Sequence, residues 1–149
     1  KPKRTLRIVL WTNEENGGRG SVAYRDMHLD ELNKHIVAIE SDGGVFAPEG
    51  FGFTGSDKAK KIIDQIHDLM KPIKANNLSE GGRAADIATL NDEGIPVLSL
   101  KVDNSKYFWY HHTSADTFDK VDYYEFNKCV AALAIMAFVI ADLDTPLPR

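Results

Sequence analysis

Leu6-Arg7-Ile8-Val9-Leu10-Trp11 is a nearly continuous apolar run with β-branched content, and it leads straight into the polar, glycine-rich stretch Thr12 to Gly20. Such a run reads as a strand buried on both faces, the kind found in parallel sheets. Two more runs share the pattern. His35-Ile36-Val37-Ala38-Ile39-Glu40 is closed by Ser41-Asp42-Gly43-Gly44, and Ile95-Pro96-Val97-Leu98-Ser99-Leu100 has its proline near the start. Helical signals lie between and after these runs. A short helix is expected from Ser21 to Met27. Ala59, Ile62, Ile63, Ile66, Leu69 and Met70 fall on one helix face, with Ser56 or Asp57 as cap and Pro72 as stop. Ala84 to Asn91 reads as a shorter helix closed by Gly94. Asp122 with Glu125 resembles a capping box, which predicts a long, mostly buried helix over Tyr124 to Leu143. Alternating strands and helices imply an α/β layer fold with a largely parallel sheet.

The chain has 149 residues, 18 Lys+Arg, 22 Asp+Glu and a formal net charge of −4. That is the size of one domain or part of one. With 43% hydrophobic and 27% charged residues, the composition excludes a disordered tail, a collagen repeat and a coiled coil. No Lys/Arg stripe offsets the negative balance, so nucleic acid is not an expected partner. The single cysteine, Cys129, excludes an internal disulfide and reads as core packing. The longest apolar run, Val130 to Ala141, falls short of the roughly 20 residues of a membrane span, so no membrane partner is expected. The basic start Lys1-Pro2-Lys3-Arg4 is not followed by the apolar region of a signal peptide.

In sheets of this type ligands bind beyond the C-terminal strand ends. Three loops therefore matter. The first carries the adjacent carboxylates Glu14 and Glu15, which form either a solvated acidic turn or a metal ligand beside a general base. The second carries Asp42, either an Asx-turn residue or another carboxylate ligand. The third is Tyr107-Phe108-Trp109-Tyr110-His111-His112-Thr113-Ser114-Ala115-Asp116-Thr117, four aromatics running into two histidines. These aromatics line a pocket or simply pack. Glu, Asp and His together offer the oxygen and nitrogen donors that suit Zn²⁺, Mn²⁺ or Co²⁺.

Trp11-Thr12-Asn13-Glu14-Glu15, Glu40-Ser41-Asp42-Gly43-Gly44 and His111-His112-Thr113-Ser114-Ala115-Asp116-Thr117 resemble the motifs of the co-catalytic dizinc exopeptidases. The likeness extends over nearly the whole chain, through Phe53-Thr54-Gly55-Ser56, Gly94-Ile95-Pro96 and Ala141-Asp142-Leu143. It implies a three-layer α/β fold, its mostly parallel or mixed sheet covered by helices on both faces, as in the zinc exopeptidases. It also implies a hydrolase of dipeptides or peptide termini working with two Zn²⁺ ions. Whether the action is that of a carboxypeptidase, dipeptidase or aminopeptidase stays open. Glu14 matches the general base, Glu15 a ligand of one metal, Asp42 a ligand of the other, and His112 a partner of Glu15 on the first. Tyr107, Phe108, Trp109, Tyr110 and His111 become candidates for the substrate pocket, and Asp116 and Thr117 for shaping the loop behind the ligands.

The family also needs a His and a bridging Asp ahead of the first strand. The resemblance therefore makes residues 1–149 the C-terminal part of a single catalytic domain, incomplete on its N-terminal side and inactive alone. Arg83, in Gly81-Gly82-Arg83-Ala84-Ala85-Asp86, departs from the family pattern. A secreted or lysosomal setting and a homodimer are further implications, and the triplet Asn77-Leu78-Ser79, on an expected loop, would accept a glycan. Two rival readings stand beside this one. Gly18-Arg19-Gly20-Ser21-Val22-Ala23 fits a dinucleotide-binding turn, with Glu40 or Asp42 as the ribose acid. A peptidase-derived binding domain without activity is the other.

Overall fold

A computed structural model describes all 149 residues. The sheet is organised around β4 (Val97–Val102), whose apolar residues are buried on both faces. On one side β4 pairs in parallel with β1 (Ala38–Glu40), Ala38 opposite Val97 and Glu40 opposite Ser99. On the other it pairs antiparallel with β2 (Pro48–Thr54), Phe51 opposite Leu100 and Phe53 opposite Leu98. β3 (Asn77–Glu80) runs parallel to β2, giving the order β1-β4-β2-β3. The sheet is therefore mixed, with two of its three ladders parallel.

Helices cover both faces, as expected. The larger core joins Phe51, Phe53, Leu98 and Leu100 of the sheet to Ile63 of α2 (Asp57–His67), to Met70, and to Met136 of α5 (Tyr123–Asp142). On the opposite face Leu32, Leu90 and Ile95 pack with Tyr24 of α1 (Arg19–Met27) and with α3 (Ala88–Asp92). The helix caps follow the sequence. Ser56 Oγ accepts the N–H of Ala59 at 3.2 Å, and Asp122 Oδ1 accepts those of Tyr124 and Glu125, each at 2.9 Å. Arg83 fastens the turn before α3, donating to both carboxylate oxygens of Asp92 at 2.6 and 3.2 Å.

Three expectations fail. Residues 6–11 form no strand: they make no backbone–backbone hydrogen bond. Ile8 and Leu10 are 90% and 88% exposed. A buried strand needs a ladder partner, and none of the four strands pairs with this segment. It is held instead by Arg4 N–H donating to Ala141 O at 3.0 Å, by the Arg7 guanidinium donating to Tyr24 Oη at 2.8 Å, and by Trp11 packing edge-on against Tyr24. Helix α5 is not mostly buried either. Cys129, Ala132, Met136 and Ile140 face the core, but Phe126, Val130 and Phe138 lie exposed. By length and composition α5 could cross a membrane, contrary to the shorter span read from the sequence, yet here it serves as one layer over the sheet. Finally, Asn77 opens β3 rather than sitting in a loop; its side chain is exposed.

β2 and β3 have no strand signal in the sequence. Pro48, Gly50 and Gly52 interrupt the pattern, and the reason is steric. Gly50 has φ +145°, and a Cβ there would lie 1.9 Å from Asn77 O, so only glycine lets β3 come alongside. β3 is the far edge of the sheet, where Lys60 and Glu80 form an ion pair.

His67 is a buried titratable group away from the strand-end loops. Its Nδ1 donates to Ile63 O at 2.9 Å, its ring packs edge-on against Phe51, and Nε2 has no partner. Burial holds its pKa below the ordinary 6.5. The folded state thus binds fewer protons than the unfolded one, and stability falls as pH drops through 6.5. Denaturant unfolding between pH 7.5 and 5 should show this decline, with a shallower slope in His67→Leu.

Candidate active site

The parallel register of β1 and β4 sets the loops after Glu40 and after Val102 side by side. The third loop, after Trp11, arrives at the same edge without a strand. Glu14–Asn16 form a single 3₁₀ turn, entered through Asn13 at φ 58° and left through Gly17 at φ 93°. On a turn of three residues per revolution, neighbouring side chains diverge by about 120°. Glu14 is half-buried and Glu15 exposed.

Glu15 meets the histidine loop. His112 Nε2 lies 2.5 Å from Glu15 Oε1, across 97 residues of sequence. The backbone of His112 is left-handed, φ 56°, a conformation that costs a non-glycine residue energy and is held by its surroundings. His111 stacks on His112 with ring centroids 3.8 Å apart, and Tyr107 stacks on His111 at 4.5 Å. The aromatics begin as α4 (Tyr107–Tyr110), one helical turn. Tyr110 stacks on Phe46, while Phe108 and Trp109 are 82% and 64% exposed. Thr117 is engaged within its own loop, its single hydroxyl proton within reach of Asp119 Oδ1 at 2.5 Å and of Ala115 O at 3.3 Å.

Charge shows what gathers around this edge. Burial raises the pKa of the Tyr107 hydroxyl, and the negative fields of Asp42, Glu15, Asp116 and Glu14 raise it further. Burial likewise raises Asp86, helped by Glu14 and Asp42. Glu14, Glu15, Asp42, Asp86 and Asp116 therefore share one neighbourhood, brought together from four stretches of chain.

Two carboxylates in this neighbourhood are absent from the metal site expected from the sequence. Glu40 ends β1 and is buried; its Oε2 accepts the N–H groups of Asp86 and Ile87 at 3.0 and 2.9 Å. Burial pushes its pKa up, against those two hydrogen bonds, and Asp86 and Asp42 add to the rise. Glu40 Oε1 and Asp86 Oδ1 have no protein partner. Glu40 thus ties the Gly81–Ile87 loop to the strand that leads into Asp42. Gly82 completes the fit, since a Cβ there would lie 2.2 Å from Val97 O. In the sequence Glu40 reads as the last residue of an apolar strand, or as the ribose acid of the dinucleotide alternative. The one available signal was a charged side chain at a position the pattern buries.

A family model for peptidase family M28 matches residues 1–137. The chain belongs to this family. Mouse carboxypeptidase Q (Mus musculus) is 41% identical over all 149 residues, and the cattle (Bos taurus) and human (Homo sapiens) proteins are 42% and 39% identical. Among solved structures, a peptidase M28 precursor from Shewanella amazonensis superposes on the whole chain with a TM-score of 0.91 at 33% identity. The chain spans about a third of the length of these relatives, 32% of the carboxypeptidase Q proteins and 34% of the bacterial chain.

Within the M28 chain no group of three or more His, Cys, Asp or Glu side chains is close enough to hold a metal ion. The donors nonetheless fit one in kind. Glu15 and His112 form an oxygen–nitrogen pair, and buried carboxylate oxygens without partners crowd the same edge, a repulsion that a cation relieves. The dinucleotide-binding alternative loses its premise, because no strand precedes the Gly18 turn.

Glu40→Ala leaves the amides of Asp86 and Ile87 without an acceptor, and should cost about 2–4 kcal/mol in urea unfolding. Glu40→Gln keeps an acceptor oxygen and should recover most of that loss.

Proposed function

We propose that this M28 chain forms part of a metallo-exopeptidase that hydrolyses dipeptides or the terminal residues of short peptides. The observation that carries this reading is the meeting of Glu15 and His112 at 2.5 Å, with Glu14 on the same turn. Glu15 and His112 would hold one zinc ion and Asp42 a second. When bound, zinc supplies Lewis acidity that makes water a nucleophile near neutral pH and stabilises negative charge on a carbonyl oxygen. Glu14 accepts the proton of the attacking water and returns it to the leaving amine, the base and acid halves of one task. His111, sandwiched between Tyr107 and His112, fixes the plane of the ligand ring. Tyr107 and Tyr110, half-buried beside it, offer apolar surface to a substrate side chain, with Phe108 and Trp109 at the outer rim. Asp116 and Thr117 shape the loop that carries His112.

A catalytic zinc ordinarily has three protein ligands and one open position. These residues supply two ligands to one ion and one to the other, so the 149-residue chain by itself should bind zinc weakly and lack turnover. The name of the carboxypeptidase Q relatives supports carboxypeptidase action. A secreted or lysosomal setting, a homodimer and a glycan on exposed Asn77 belong to the same proposal.

The test uses the complete enzyme, with zinc content and kcat measured on each variant. Glu14→Gln should keep near-normal zinc and lose about 10²–10⁴-fold in kcat. Glu15→Ala, Asp42→Ala and His112→Ala should each lose metal. Near-normal turnover in Glu14→Gln, or full zinc in the ligand variants, would remove those residues from their roles.

A further inference from the structure

Tyr24 of α1 lies at the centre of a cluster drawn from separate stretches of chain. Its ring packs edge-on against Trp11 and His35, with centroids 5.4 and 5.8 Å away, and His28 tilts over it at 4.5 Å. Its hydroxyl sits between Arg7 Nη1 and His35 Nε2, each at 2.8 Å. The other ring nitrogen of His35 fixes the direction of these bonds. Nδ1 is 3.0 Å from the carbonyl oxygen of Glu31, which can only accept, so the proton of the neutral ring resides on Nδ1. Nε2 is then an acceptor. The Arg7 guanidinium donates to Tyr24 Oη, Tyr24 O–H donates to His35 Nε2, and His35 Nδ1–H donates to Glu31 O, all in one direction.

These bonds hold the segment that delivers the candidate base, because Trp11 stands just ahead of the Glu14–Glu15 turn. Helix α1 grips this segment at two points. In its first turn, the N–H groups of Arg19 and Gly20 donate to Asn13 O and Thr12 O at 3.3 and 3.0 Å, and a Cβ on Gly20 would lie 2.5 Å from Thr12 O. Further along the helix, Tyr24 holds Arg7 and Trp11.

We propose that Tyr24 and His35 form an acid-sensitive latch that positions the Glu14–Glu15 turn through Arg7 and Trp11. A proton added at His35 Nε2 leaves the ring with two donors and no acceptor. The Tyr24 hydroxyl then faces two donors, Arg7 and His35, and its own proton has no acceptor within the cluster. Charge acts in the same sense. Arg7 Nη2 and His28 Nδ1 lie 3.7 and 3.4 Å from the same oxygen, Glu31 Oε2. Arg149 donates to His35 O at 2.9 Å, and Lys34 closes the 3₁₀ segment Leu29–Lys34 that carries Glu31. Acid therefore sets Arg7, His28, Lys34, His35 and Arg149 as cations around one carboxylate. Arg7, on a segment without backbone–backbone hydrogen bonds, is the one free to leave. The latched state binds fewer protons than the released one, so falling pH favours release. Histidine is the side chain that makes this change between pH 8 and pH 5. The latch stands on hydrogen bonds and charge alone; only its effect on turnover rests on the role proposed for Glu14.

NMR relaxation on the full 149-residue chain tests the latch. Neither zinc nor substrate takes part, so the latch and the role of Glu14 can fail separately. At pH 8 the ring nitrogen shifts of His35 should place its proton on Nδ1, and the backbone order parameters of residues 7–11 should lie in the rigid range, about 0.85. At pH 5 they should fall below about 0.6, with the midpoint of the His35 ring titration. Tyr24→Phe keeps the ring and removes the hydroxyl, so residues 7–11 should already be loose at pH 8. His35→Gln offers Tyr24 a carbonyl acceptor that cannot ionise, and should keep the segment ordered at pH 5. A proton on Nε2 of the neutral ring, order in residues 7–11 that ignores the His35 titration, order retained in Tyr24→Phe at pH 8, or wild-type release in His35→Gln would each overturn the latch. Loss of order in β4 at the same midpoint would overturn it too, since the transition would then be general unfolding.

Discussion

Glu40 sits opposite Ser99 in the parallel β1–β4 ladder, and much of the molecule's chemistry depends on that pairing. It sets the Asp42 turn and the histidine loop at one edge of the sheet. It also points a buried carboxylate at the amides of Asp86 and Ile87, so that a third loop is drawn in from the other side of β4. Burial works against the charge of Glu40, whereas two N–H donors favour it. A side chain in that position is a structural tether placed one residue from solvent and two from a ligand candidate.

Around this tether the geometry is built by rigid close approach rather than by long side chains. Glycines at positions 50 and 82 let backbones touch where any Cβ would collide. The left-handed backbone of His112 fixes its ring from behind, and the stack of Tyr107, His111 and His112 fixes it from the side. Preorganised donors of this kind lose little entropy when they take hold of a ligand. Burial of Tyr107, with the fields of four carboxylates added to it, raises the pKa of its hydroxyl.

The parts of this architecture that could be read from the sequence are those with local causes. The face of α2 follows from the spacing of Ala59, Ile63 and Ile66, and the start of α5 from the reach of Asp122 to two amides. β1 and β4 announce themselves as apolar runs, and the loops that follow them leave the same edge of the sheet. β2 and β3 were hidden because their stability comes from neighbours, not from propensity; a strand written Pro-Glu-Gly-Phe-Gly-Phe-Thr makes sense only beside β3 and β4. Residues 6–11 misled for the opposite reason, since an apolar run states a demand for burial without ensuring that a partner meets it. Helix α5 likewise has apolar residues all round its axis, while the sheet covers only one side. Glu40 and Asp86 could not be recognised as site residues, because a hydrogen bond across 46 residues leaves no periodic trace.

The far edge of the sheet raises a matter of solubility. β3 is four residues long, carries Asn77 and Ser79, and ends at Glu80 in an ion pair with Lys60. Short length, polar side chains and a fixed charge make a poor template for sideways stacking of molecules. At this rim the protein is guarded against fibril growth, so a variant that neutralised Lys60 and Glu80 together would trade colloidal stability for an open, adhesive border.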